Sequence, residues 1–405
     1  MLAGYREVLA QRGARAFCSA GFLARLPVSM TTVAVVFFVH EVIGSYAVAG
    51  IMSAIAICSS AVGGPVFGRL VDRLGQARVL VPQIVVHVAA MVIEATAVLA
   101  HAPTVLLFAV SVPAGAFTPA IGALVRARWS ALLADTPELG RAYALESVLD
   151  DCVWTVGPVI AAALCVWHSA AGLMAAAAIE LVAGLAFALQ TATAPQPYPA
   201  AHRRMLSTLA APGLRPLLAA VFFVAVFLGT LNVSIVAFAQ RHGAPGAAGW
   251  LLGGFAAASM IVGIAFGHRR WRRSPESRLR IVLLYFAVAG IALPLARSLP
   301  AMAVAVLAAG SGLSPTLICA YTTADRIAPA GALTETLTWT VTALAGGSAA
   351  GAALSGWVVN AHDARLGLLV GTVAVILAVV TNLARPPFAG PQPQRLGQAQ
   401  VHLDG

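Results

Sequence analysis

The chain alternates long apolar runs with short polar ones. Twelve apolar runs stand out, at 16–39, 45–67, 79–100, 104–125, 142–165, 170–189, 214–239, 248–267, 279–296, 300–320, 333–359 and 366–383. Each is close to the ~20 residues that a helix needs to cross the hydrocarbon core of a bilayer. Most polar stretches between them are too short to form a domain. Two are longer. Segment 190–213 is polar and carries prolines, and predicts a linker between a six-helix bundle at 16–189 and a second at 214–385. Residues 386–405, rich in proline, glycine and glutamine, predict a disordered tail. The pattern predicts an all-α membrane protein of twelve transmembrane helices.

Composition agrees. Sixty per cent of the 405 residues are hydrophobic, 10% are charged and the mean hydropathy is +0.88, whereas a soluble domain carries about 25% charge. All 25 basic residues are arginine. Without lysine the chain has neither the P-loop amine of an ATPase nor a Schiff-base nucleophile, so uphill work must draw on an ion gradient or a separate subunit. A net charge of +10 would suggest nucleic acid in a soluble protein. Here the arginines fall between apolar runs, and topology explains them better. With the amino terminus cytoplasmic, 21 arginines, among them Arg69, Arg126, Arg128, Arg203, Arg204, Arg270, Arg385 and Arg395, lie on the inner side. Three, Arg241, Arg297 and Arg365, lie outside, and Arg25 lies within a span. Both termini are therefore expected in the cytoplasm. The five cysteines have no metal-ligand spacing and read as small apolar residues. The first run is long and lacks a small-residue cleavage site, which predicts a retained helix rather than a signal peptide.

The halves echo each other. A shift of 199 residues places Gly50, Gly64, Phe67 and Gly68 on Gly249, Gly263, Phe266 and Gly267. A shift of 196 places Thr118-Pro119 on Ser314-Pro315, and one of 189 places Glu146 and Gly157 on Glu335 and Gly346. Together these matches predict six helices duplicated as two pseudo-symmetric bundles.

Between the second and third runs lies a polar hinge with Gly68, Leu70, Asp72, Arg73, Gly75, Arg78 and Leu80. In this respect the chain resembles the major facilitator superfamily, whose members carry such a motif between helices 2 and 3. Gln76 and Ala77 occupy the place of the family's usual basic pair. Gly157-Pro158 in helix 5 is similar to the antiporter motif of proton-coupled exporters, with Val153 where that motif has a further glycine. The resemblance is to a drug/proton antiporter-like or sugar-efflux-like branch. It implies a secondary transporter of the cytoplasmic membrane, expected as a monomer. Its partners would be a small-molecule substrate, protons and membrane lipids, with no cofactor, no metal, no nucleic acid and no catalytic centre. It also implies a cavity lined by helices 1, 4, 7 and 10.

Ionisable groups at membrane depth are expensive and face a cavity or a partner. Arg25 lies ~15 Å along helix 1 and Asp150 ~12 Å along helix 5, both counted from the inner side. They can pair. Glu146 and Asp150 are four residues apart on one face, while Asp151 points about 100° away toward another partner. The pair is either a proton-coupling device in which Asp150 is the carrier, or a static lock between helices 1 and 5; the sequence leaves both open. Glu146 and Glu335 read as gate or interface residues. Gln83, His87 and Glu94 form a helical stripe on helix 3, and with Glu180 on helix 6 read as hydrogen bonding inside the bundle.

Pro113, Gly115, Thr118 and Pro119 interrupt helix 4, and Gly310, Gly312, Ser314 and Pro315 interrupt helix 10. Corresponding kinks free backbone groups near the midplane and point to a central site. Ser311, and Ser29, Met30, Asn232 and Ser234 of helices 1 and 7, complete the expected cavity. Gly157, Pro158, Glu335, Gly346 and Gly347, with Gly351 and Ser355, are expected on the surface along which the halves rock. The leading function is proton-coupled efflux of a small organic solute. Import, uniport and a receptor or scaffold role on the same fold stay open.

Overall fold

The computed structural model describes residues 2–384 apart from 135, 137, 199–207, 245, 246 and 270. Arg203, Arg204, Arg270, Arg385, Arg395 and the tail 386–405 lie outside the described residues. Among the described residues twelve helical segments are long and apolar enough to cross a membrane. They are α1 (Ala14–Ile43), α2 (Tyr46–Leu74), α3 (Gln76–Leu99), α4 in two pieces (Thr104–Ala116 and Ile121–Leu132), α5 (Glu138–Trp167) and α6 (Ala171–Ala188). The second set is α7 (Leu214–Arg241), α8 (Ala247–His268), α9 (Pro275–Leu295), α10 (Leu299–Ile327), α11 (Leu333–Ala361) and α12 (Ala364–Leu383). The chain is a multi-pass membrane protein of two six-helix bundles. A short helix, Leu2–Leu9, precedes them. Gln190 donates to the Ala16 carbonyl and the Tyr198 amide to the Asp72 carbonyl. The short helix, the start of α1 and the linker therefore share one end of the bundle, the terminal end. At the opposite, distal ends of α5, α8 and α11, Trp167, Trp250 and Trp357 stand exposed, where indole rings settle at headgroup level.

Two expectations, one for helix 4 and one for helix 10, are corrected. The fourth run was expected to end at Val125, but α4 continues to Leu132 and buries Arg126 and Arg128, which are not loop residues. The break in α4 falls between Ala116 and Ile121. Pro119 has no amide to donate there, and the Thr118 hydroxyl takes up the Ala114 carbonyl at 3.0 Å. The expected matching interruption of helix 10 is absent: α10 is continuous through Pro315. Past its first turn it carries one proline, Pro315, where α4 has Pro113 and Pro119, and Thr316 bonds back to the Gly312 carbonyl at 2.7 Å.

Lipid tails are as apolar as leucine, so helix association in a bilayer depends on close van der Waals approach rather than on the hydrophobic effect. Small residues supply it. A Cβ placed on Gly347 would lie 2.2 Å from the Phe222 carbonyl oxygen, and one on Gly351 2.1 Å from that of Val226, so α11 runs backbone to backbone against α7. Gly115 does the same for α4 on α2, and Gly310 for α10 on α8. These contacts lie inside one half. The expectation that Gly157, Gly346 and Gly347 face the opposite half is corrected: Gly157 seats Ser29 of α1, and Gly346 and Gly347 face Phe222 of α7.

Gly351→Val is expected to destabilise the protein by about 1–3 kcal/mol through overpacking against Val226. Gly356→Ala, where an added Cβ meets nothing within 4 Å, is expected to be neutral. Melting temperatures in detergent check this, and equal melting of the two variants would sink the packing argument.

Candidate functional site

Arg25 and Asp150 meet. The Arg25 guanidinium spans two carboxylates of α5, with Nη1 2.6 Å from Asp150 Oδ1 and Nη2 2.5 Å from Glu146 Oε2. A second cation completes the group. Arg126, from the second piece of α4, places Nη2 2.5 Å from Asp150 Oδ2. Two guanidiniums and two carboxylates thus form a neutral quartet, with Arg25 4%, Arg126 1% and Glu146 0% exposed, while the Asp150 side chain is 30% exposed. A lone ion at this depth would be costly, and mutual pairing plus hydrogen bonds offsets that cost, although the buried Arg126 Nε has no acceptor among the described residues. The Glu146 Oε1 atom accepts from Trp129 Nε1 at 2.8 Å and from the Cys18 thiol at 3.5 Å. Arg25 Nε donates to the Gly21 carbonyl, and Arg126 Nη1 to that of Gly122. Arg126 also lies 4.0 Å from the centre of the Tyr321 ring of α10, which links the quartet to the other half. Glu146, read in the sequence as a gate or interface residue on the same face as Asp150, pairs with Arg25 in the interior of the first half.

Sequence reasoning missed Arg126 and Trp129. Ile121 to Leu133 keeps apolar residues at helical spacing, and following it past the two arginines would have placed both side chains inside the helix. Arg128 is likewise buried. It donates to Gln76 Oε1 at 2.7 Å and to the Phe187 carbonyl at 3.0 Å, and its guanidinium lies 3.9 Å from the Phe187 ring centre. Gln76, standing where the family motif has a basic residue, is the acceptor that this internal arginine needs.

The halves join at the terminal end. Asp72, in the last turn of α2, accepts the backbone amides of Thr334 at 3.0 Å and Glu335 at 2.9 Å. A carboxylate on the first amides of a helix satisfies orphan donors and meets the positive end of the helix dipole. Gly68, one turn earlier, brings the two backbones together: a Cβ there would lie 3.2 Å from the Thr334 carbonyl oxygen. The repeat-related Gly267 of α8 packs on Ala144 of α5 in the same manner. Trp271, which the 199-residue shift places on Asp72, folds back onto the Phe266 carbonyl instead of capping α5. Ser130 of α4 donates to Asp325 of α10. Tyr5 of the short helix donates its hydroxyl to the Ile264 carbonyl at 2.8 Å. Burial pushes the Tyr5 phenol up to about 12, against a smaller opposing effect of Arg141, so this donor keeps its proton at neutral pH. Arg73 and Arg78 flank the hinge, and Gly75 adopts φ 91° between α2 and α3.

Asp151 points away from the quartet, toward the other half. Its Oδ2 accepts from Ser314 of α10 at 3.3 Å, and Ser314 is 2.8 Å from Ser259 of α8. Asp151 lies ~20 Å from the start of α5 and Ser314 ~20 Å from the end of α10, near mid-height. Among the described residues Asp151 makes no ion pair.

Of the expected cavity residues, several are packed away in this conformation. Ser29 and Met30 are fully buried, with the Ser29 hydroxyl donating to the Leu26 and Val153 carbonyls. Ser234 bonds Ser355 within the second half. Gly115, Pro119 and Pro315 are buried in helix contacts. Ser311 bonds Tyr285 at 2.5 Å, and Thr118 approaches His87 at 3.4 Å. Asn232 is exposed, its amide donating to the Leu228 carbonyl, and Pro158 is half-buried. The helix 3 stripe is internal. His87 Nδ1 is 2.6 Å from Glu180 at the start of a π turn in α6, and Ser111 donates to Glu94 at 3.1 Å.

A family model described as Major Facilitator Superfamily matches residues 17–352. No curated protein sequence matches the chain. The fold is similar to the crystal structure of a bacterial homologue of the iron transporter ferroportin in an outward-facing state, at 16% identity and a TM-score of 0.76, over 91% of this chain and 98% of that one. It is similar to the human organic anion transporter MFSD10 (TETRAN), at 17% identity and 0.70, over 93% and 99%. The E. coli fucose:proton symporter FucP matches at 12% identity and 0.70, over 92% and 98%. At these identities the likeness speaks for the fold.

Two outcomes are expected. Arg126→Met and Asp150→Asn should each destabilise the protein by about 3–5 kcal/mol, because each strands a buried charge, and together by less than the sum; additive losses in an unfolding cycle would refute the quartet. Asp72→Ala should cost the closed arrangement about 0.5–2 kcal/mol. With Thr338, buried beside Gly68, changed to cysteine and Cys58 and Cys152 changed to serine, maleimide labelling at position 338 should quicken about two- to thirtyfold when Asp72 is removed. An unchanged rate would show that the carboxylate does not hold this end shut.

Proposed function

The chain belongs to the major facilitator superfamily and is a membrane transporter of a solute; from that premise we propose that it exports a small organic solute in exchange for protons, by alternating access. The observation that carries the reading is Asp151: a mid-height carboxylate without a cation whose hydrogen-bond donor, Ser314, comes from the opposite half. When the halves part at the terminal end, Ser314 withdraws and Asp151 meets water. Proton occupancy is thereby tied to which end is closed. Asp150 is less suited to the task. It faces two guanidiniums that cannot shed their protons, and neutralising it would leave two buried cations against one carboxylate. The quartet then serves as the rigid frame that holds Asp151 toward α10. Efflux is supported by Gly157-Pro158 in α5, and the substrate would lie near the midplane between the halves, within reach of Asn232. The Asp72 contact to α11 is the latch of the terminal-closed state, with the terminal end on the cytoplasmic side.

The substrate is first sought by comparing the sensitivity of cells with and without the protein to a panel of toxic solutes and metabolites. Proteoliposomes loaded with the solute found then test the coupling. Asp151→Asn is expected to abolish uphill movement driven by an imposed pH gradient, at least about tenfold, while downhill exchange of solute persists. If Asp151→Asn still accumulates solute on a pH gradient, the assignment falls; if no gradient drives accumulation in the parent chain, the protein is a facilitator.

A further inference from the structure

At the terminal end a cavity of about 360 Å³ opens between the halves, lined by Arg141 from the first half and Arg269, Arg278 and Arg326 from the second. It continues into a recess of about 480 Å³ that adds Arg272 and Arg273. Two of these cations have partners: Arg141 lies 3.3 Å from Glu7, and Arg326 3.3 Å from Glu276. Arg269 stacks over Trp271 at 4.8 Å, and among the described residues neither it nor Arg278 makes an ion pair. The Arg278 Nε atom is buried and has no hydrogen-bond partner. Pro275, at the first turn of α9, also lines the cavity, which brings the positive end of that helix dipole to the same wall. The cavity's carboxylate, Asp325, is engaged by Ser130.

Arginines placed only to orient a membrane protein are solvated. Arg278 is half-buried, and its Nε is withdrawn from water with nothing to receive its proton. A buried guanidinium atom without an acceptor costs free energy that an oxyanion would recover through charge-assisted hydrogen bonds. Basic pockets between transmembrane helices are known ground for phosphate headgroups. We propose that this cavity binds a phosphate group, carried by an anionic lipid or by a soluble phosphate, and that its occupancy holds the two halves together at the terminal end. The arginines come from both sides of the seam, so a ligand touching both binds this conformation better than one in which the halves have parted, and shifts the population toward it. The site is separate from the midplane carboxylates and does not depend on which solute is moved.

The test uses the full chain with the reporter cysteine at position 338 described above. In neutral detergent it is titrated with inorganic phosphate at ionic strength held constant with sodium chloride. Separately it is reconstituted in phosphatidylcholine vesicles with and without phosphatidylglycerol. One of the two probes is expected to slow maleimide labelling saturably, by about tenfold. Slowing by phosphate identifies a soluble ligand, and slowing confined to phosphatidylglycerol vesicles identifies the lipid headgroup. Arg278→Gln and Arg269→Gln are each expected to raise the half-saturating concentration about tenfold. Arg269 is exposed and its variant keeps the test open if Arg278→Gln does not fold. No saturable slowing by either probe, or unchanged half-saturation in the variants that fold, overturns the proposal.

Discussion

An ion inside a bilayer must bring its counter-ion with it, and the quartet of Arg25, Glu146, Asp150 and Arg126 is this protein's answer. Three helices contribute to it, so α1, α4 and α5 cannot slide past one another without exposing a charge to hydrocarbon. Trp129 and Cys18 fill the remaining lone pair of Glu146. The first bundle is therefore stiff at its centre, and Asp151 inherits a fixed direction from its neighbour. Among the described residues the second bundle shows no such buried ion quartet. It is held by glycine on backbone, as in Gly351 on Val226, and by hydroxyl pairs such as Ser234 with Ser355.

The duplication survives in the seam and is broken where the halves differ in chemistry. Gly68 against the start of α11 and Gly267 against the start of α5 are the same contact made twice. The carboxylate beside the first has become an indole beside the second. A charged latch on one side and an apolar close contact on the other give the two contacts different sensitivities, since only the first involves a helix dipole and a full charge.

Much of this was legible in the sequence because length and charge placement are coarse signals that hydrocarbon enforces. The helix number, the hinge and the similar depth of Arg25 and Asp150 all follow from counting. What was illegible was rotation. A helix apolar all round has no polar face to show which way a serine points, so Ser29 and Ser234 read as cavity lining although each turns into a packed contact. Arg126 was lost for a related reason. Whether a guanidinium next to an apolar run is hydrated or paired depends on a carboxylate from another helix, 24 residues away in the chain. Gln76 looked like a defect in a motif, yet it receives Arg128, which a basic residue at that position would repel.

The eight residues Leu2–Leu9 have a significance out of proportion to their length. Tyr5 is anchored on the carbonyl of Ile264, and its oxygen would sit 2.9 Å from a Cβ on Gly267, so this short helix is a wedge lodged across the joint between the halves. Any fusion attached beside it is therefore a load on the contact between the halves rather than a handle on an inert part.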